Sequence, residues 1–430
     1  MLQNRIKQAA LKIKKYISLN IEHICWLLMA LQLIVDSVAE HSILFHLSCG
    51  GFLIVTFAYL YKIRAIKISK YHIITLIFIL YNILLIIFGS PFDRFQSFKM
   101  VRTVVLNLIL SIAIFSLLMK VNDSNKLLKT YVYFAIITNI IIFFIYRDSL
   151  LSGRLAFSWK DLSNTYRFLG MQIRTTNSNG IAYYSAAAFI FSGYLYSLKE
   201  NKRFAYLLIC IFLVFVIVIT GSRKGLFFLA MGLFILIHIL TDKNNKKKII
   251  YYSAAIGAML ILYLIINHVP VLYNIVGWRL NQLINLLTGA NVRDGSINTR
   301  LKLIEEAVEF FKQRPIFGYG LDSFRVMYKE GIVADNNYLD ILVSSGIIGF
   351  IIYYSYVLFV LRDYIKTKNK SKIFKILICM LVINLILEIG STTYFVRNYV
   401  HINTIFYFLS AAEGDEKSNL RKGQGFFSGF

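Results

Sequence analysis

The chain has 430 residues, 57% of them hydrophobic and 15% aromatic, with a mean hydropathy of +0.63. Those values exclude a soluble globular fold and point to repeated membrane crossing. A formal charge of +25 suggests nucleic acid or anionic lipid, but the placement of the charges says more than their sum, and no nucleic-acid partner is expected.

Residues 1–20 are basic and amphipathic, with no small-residue cleavage site before the first apolar run, and read as a cytoplasmic N-terminus. Apolar runs predict twelve spans, at 21–38, 43–61, 72–89, 101–119, 130–146, 179–197, 204–220, 225–240, 250–268, 336–361, 373–389 and 399–412. Spans one to nine thus fill 21–268, an external loop fills 269–335, spans ten to twelve fill 336–412, and 413–430 is a tail. The expected fold is an all-α integral membrane protein of about twelve transmembrane helices, with a partly helical loop between spans nine and ten.

Alternate loops are short and lysine-rich, including 62–70, 120–129 and TDKNNKKK at 241–248, so both termini are expected in the cytoplasm. The other loops face outward, and 13 arginines but only 6 lysines are assigned to that side. Orientation alone disfavours that enrichment. Arginine offers a rigid donor fork for phosphate and carboxylate, so the outer face is expected to hold a polyanion. The plainer alternative for any one arginine is contact with lipid phosphates. Cys25, Cys49, Cys210 and Cys379 lie in apolar runs and imply packing, with neither disulfide nor metal.

Four constellations stand at the outer rim. Thr220-Gly221-Ser222-Arg223-Lys224-Gly225 joins spans seven and eight, where free N–H groups and the helix dipole add to Arg223 and Lys224. Arg174, Asn177 and Asn179 lead into span six, and amides suit sugar hydroxyls. Asn298–Lys312 predicts an amphipathic helix with Leu301, Ile304, Ala307, Val308 and Phe311 on one arc. Arg300 is the single charge within that arc. It is expected to bind an anion, with pairing to Asp335 or Asp340 the alternative. Finally RPIFGYGLDSF, with Arg314 and Arg325 in and just after it, runs on to Asp335, Asn336, Asn337, Tyr338 and Asp340 at the head of span ten. Asp335 or Asp340 is placed to act as a general base on a sugar hydroxyl. Asp335 is equally placed as a helix N-cap. Asp36 and Glu388 have no assigned role, and His72 and His238 read as packing residues.

Together these segments resemble the O-antigen ligase/polymerase family. TGSRKG at 220–225 is similar to its Gly-Ser-Arg-Gly turn. Arg300 followed by RPIFGYGLDSF resembles its Arg…Pro-hydrophobic-Gly-hydrophobic-Gly-x-x-Ser-Phe pattern, and ADNNYLDILVSSGIIGFI at 334–351 its Ala-His-Asn-x-Tyr-Leu…Gly segment. Asp335 stands where the family has histidine, which favours a polymerase over a lipid A core ligase. The resemblance implies a GT-C-like glycosyltransferase in the bacterial cytoplasmic (inner) membrane, active on its outer side. It would transfer an undecaprenyl-diphosphate-linked glycan onto another lipid-linked repeat unit. The catalytic set would be Asp335, Asp340, Arg223 and Arg300. Substrate would bind at Arg174, Asn177, Asn179, Lys224, Arg314, Arg325, Asn336, Asn337 and Tyr338. Neither cofactor nor metal is implied; a chain-length regulator and a flippase are implied partners beside membrane lipid. The alternative from another class is a flippase for lipid-linked sugar, which predicts inverted repeats and midplane polar residues instead of a polar rim.

Overall fold

The chain holds only three prolines, at 91, 270 and 315, and none interrupts a long helix. A backbone in lipid must satisfy its own hydrogen bonds, so the apolar runs between them fold as helices. The computed structural model describes residues 21–39, 42–89, 91–121, 123–145, 166–168, 171–173, 178–198, 203–241, 245–289, 295–368 and 370–413.

Helices α1 (Ile21–Val38), α2 (Ile43–Lys62), α3 (Lys70–Phe88), α4 (Arg94–Val121) and α5 (Ser124–Ile145) come first. A two-stranded antiparallel hairpin follows, β1 (Tyr166–Phe168) with β2 (Met171–Ile173). Next are α6 (Ser178–Ser197), α7 (Arg203–Ile219), α8 (Arg223–Leu240) and α9 (Asn245–His268). The connecting segment carries α10 (Trp278–Leu287), α11 (Gly295–Gln313) and α12 (Ser323–Met327), and α13 (Asn337–Lys366), α14 (Lys372–Leu387) and α15 (Arg397–Glu413) close the chain. Among the described residues, nine helices are long and apolar enough to span a bilayer: α1 to α5, α8, α9, α13, and α14 with the turn that extends it to Gly390. This is a transmembrane protein.

The other three predicted spans are helical, although they are not among the nine. α7 is apolar but has only 17 residues. α6 runs through the middle of the bundle, with 14 residues buried along Ser178–Leu195. A helix walled by protein needs small residues for close approach more than lipid-facing leucines, and α6 carries Ala182, Ala186, Ala187 and Ala188. Against it, a Cβ on Gly225 of α8 would lie 2.5 Å from that of Ala182. Asn139 of α5 donates to Ser185 Oγ (3.0 Å) and accepts from Tyr184 (3.1 Å), a polar tie between α5 and α6.

Asp36, one of the two acids without an assigned role, acquires one. Asp36 of α1, 5% exposed, accepts from Arg397 Nη1 of α15 at 2.7 Å, and that guanidinium sits 3.8 Å over the Phe45 ring. At the opposite end Asp363 accepts from Lys70 (2.7 Å), Tyr71 (2.6 Å) and Ser410 (3.0 Å), binding α3, α13 and α15. His72 is more than packing: Ser69 N donates to its Nδ1 at 3.0 Å, so Nε2 carries the proton and donates to Ser111 Oγ at 3.1 Å.

One departure matters most. Span ten is not a continuous helix: Gly346, with φ +63° and ψ −171°, breaks α13 after its first turns.

Candidate active site at the head of the broken helix

A helix interrupted inside a bundle leaves carbonyls and N–H groups that must find partners. Here the chain from Pro315 to Gly320 supplies them. Tyr319 N and Gly320 N donate to Val343 O (2.9 Å) and Ser344 O (2.8 Å). Pro315 O and Ile316 O accept from Ile347 N (2.9 Å) and Ile348 N (3.5 Å). The two backbones interlock with no room for side chains. A Cβ on Gly346 would sit 2.1 Å from Ile316 O, and one on Gly318 2.6 Å from Ser344 O. The glycine pattern of RPIFGYG is therefore a docking requirement, and the loop it fixes positions α11, α12 and residues 321–336 above α13.

α11 lies on this platform through Leu303 and Ala307, which pack with Tyr319, Phe324 and Val343. Its buried stripe is rotated from the predicted arc: Leu301 is 49% exposed. Arg300 falls at the end of the stripe that passes through Leu303 and Ala307, one turn apart. From there its Nε donates to Asp335 Oδ2. Of the two outcomes weighed for Arg300, pairing with Asp335 is the one present.

The Thr220–Gly225 turn arrives from α7 and α8. Ser222 caps α8, its Oγ accepting from Gly225 N (3.2 Å) while donating to Asn179 Oδ1 of α6 (2.8 Å). That bond brings two of the predicted motifs together. Replacing Ser222 with alanine should cost about 1 kcal/mol through the cap, read as a lower melting temperature of the purified protein in detergent; Ser222→Thr should restore most of it. The capped turn aims Lys224 so that Nζ lies 3.9 Å from Asp335 Oδ1, with Arg223 and Arg300 in electrostatic range. Nζ is buried and has no hydrogen-bond partner among the described residues. Gly390 makes the space, for a Cβ there would come within 3.2 Å of Lys224 Cε. Asp335 thus stands between cations delivered by α8 and α11.

Asp335 is not the cap of α13. Asn336 is, its Oδ1 accepting from Leu339 N at 3.1 Å. Asn337, fully buried, donates to Tyr354 (2.8 Å) and Glu388 (3.1 Å) and accepts from Thr393 N (2.8 Å) and Tyr394 N (3.0 Å). Its amide has every hydrogen-bonding position filled and braces the platform. Glu388 further accepts from Tyr354 (2.6 Å) and Thr393 (2.7 Å). Tyr338 donates to Leu385 O at 2.6 Å and stacks on Tyr354. Asp340 is 1% exposed and is surrounded by Ser344 (3.3 Å), Thr392 (3.4 Å) and Tyr394 (3.5 Å). The two carboxylates considered as base therefore differ: Asp335 is half-open beside Arg300 and Lys224, and Asp340 is enclosed.

Arg314 lies exposed, with its guanidinium 4.8 Å from the centre of the Tyr319 ring. Arg325 pairs with Asp322 at 3.3 Å and covers Phe395. Asp322 went unsingled in the sequence. It is fully buried, also accepts from Gln96 of α4, and burial pushes its carboxyl above the usual carboxylate range against the pull of Arg325. Arg174 and Asn177 lie outside the described residues.

Residues 208–354, from within α7 to within α13, match the family model described as O-antigen ligase, Wzy_C. Over that segment the chain is similar to the O-antigen ligase family. No curated protein matches the chain. The family segment takes in the capped turn, α11, the interlocked loop and Asp335, while Asn179 and Glu388, which support them, lie outside its bounds.

Proposed function

We propose that the protein is a twelve-span polysaccharide polymerase of the cytoplasmic membrane, working at the outer face on an undecaprenyl-diphosphate-linked glycan. The observation that carries the reading is the convergence of Lys224 and Arg300 on one half-open carboxylate, Asp335, beside Arg223. Such a site fits a transfer in which charge develops on a departing diphosphate. A hydroxyl oxygen on the non-reducing sugar of the acceptor attacks the anomeric carbon of the donor. The bond from that carbon to the diphosphate oxygen breaks, its electron pair remaining on the diphosphate, which Arg223, Lys224 and Arg300 hold. The hydroxyl proton passes to Asp335, which outranks Asp340 as base because Asp340 is enclosed. Transfer to a lipid A core is the second reading, favoured by the family description.

The surface polysaccharide of a deletion strain separates the two. A polymerase defect leaves a single repeat unit on the cell anchor, a ligase defect leaves the anchor bare, and an unchanged ladder rejects both.

A further inference from the structure

Asp335 is held in a way that its neighbours do not require. Its backbone is left-handed, with φ +50°, a conformation aspartate tolerates better than most residues. The adjacent helix is capped by Asn336, so α13 makes no demand on the Asp335 carboxylate. That carboxylate is nonetheless paired with Arg300 and set 3.9 Å from Lys224 Nζ, an ammonium with no hydrogen-bond partner among the described residues. Asp335 and Arg300 are 29% and 31% exposed, so the pair meets solvent, whereas Nζ does not. One carboxylate facing two cations leaves an excess of positive charge, and a single negative charge is a poor match for it.

We propose that Asp335 is a resting-state stand-in: its carboxylate occupies the place that the donor's diphosphate takes, and the arriving diphosphate displaces it. The inference rests on the diphosphate reading of the site. A diphosphate carries more charge and more acceptor oxygens than a carboxylate, so it can satisfy Arg300 and the vacant donors of Lys224 together. Once displaced, the Asp335 carboxylate loses its guanidinium partner and is free to accept a proton. Seating the donor thereby arms the base, and in its absence the base stays neutralised by Arg300.

The test is binding of inorganic pyrophosphate to the full chain in lipid nanodiscs at fixed ionic strength, comparing wild type with Asp335→Asn, Asp335→Gly and Arg300→Ala. Asparagine and glycine both accept the positive φ, so the fold of the loop is retained. Removing a competing charged hydrogen-bond acceptor should tighten pyrophosphate binding by about 5- to 20-fold in both Asp335 variants, and Arg300→Ala should abolish it. Equal or weaker binding in the Asp335 variants would overturn the stand-in, since a carboxylate that merely positions Arg300 must weaken binding when lost. Unaltered binding in Arg300→Ala would instead overturn the diphosphate site itself, and the stand-in with it.

Discussion

Alanine at Arg300 should lower the rate of glycan transfer by about 10²–10³-fold, the loss typical of removing one donor aimed at developing negative charge. The protein should remain folded. Arg300 and Asp335 are each roughly 30% exposed, and ion pairs that meet solvent contribute only about 0–1 kcal/mol to stability. Lys312, at the exposed far end of α11 and paired with Glu309, gives the matched control, and its alanine variant should transfer at the wild-type rate. The assay is elongation of lipid-linked repeats by purified protein in vesicles, with melting temperature recorded on the same samples. A variant at Arg300 that retains rate, or that loses rate only in proportion to unfolding, would remove the guanidinium from the chemistry.

The second large effect is on folding. Gly346→Ala places a methyl group about where Ile316 O already lies, in a backbone region open essentially to glycine alone (φ +63°, ψ −171°). Strain alone is worth about 1–3 kcal/mol. If the loop undocks to relieve it, the hydrogen bonds from Tyr319, Gly320, Ile347 and Ile348 are lost as well. A total of at least about 3 kcal/mol is expected, seen as a sharply lower melting temperature and new protease cleavage between residues 314 and 322. Gly318→Ala should behave alike, because it meets the same interface from the other side. A Gly346→Ala protein that melts with wild type would mean the two backbones are not interlocked.

What the sequence revealed follows from the range of the forces involved. Span positions are local matters of apolar length, and the helices fall close to the predicted ranges. α6 shows the limit: its apolar run marks a span at 179–197, but hydropathy alone does not tell that its faces are enclosed by neighbouring helices. The break in α13 was invisible because Gly346 sits in an apolar run that reads as continuous, and its partner loop lies some thirty residues earlier. Periodicity showed that Arg300 was unusual and placed Ala307 in the buried arc, but it included the exposed Leu301, missed the buried Leu303 and left two partners open. Asp36, Glu388 and Asp322 depend on residues remote in the chain (Arg397, Asn337 and Gln96), and nothing in their own surroundings identifies those partners.

The interlock between the Pro315–Gly320 loop and α13 limits how the chain can be recombined. The loop end of this protein cannot be transplanted as a cassette onto a relative's helices, because the half-helix would arrive without the strand of backbone that completes it. Any working hybrid has to exchange residues 314 to 348 as a unit.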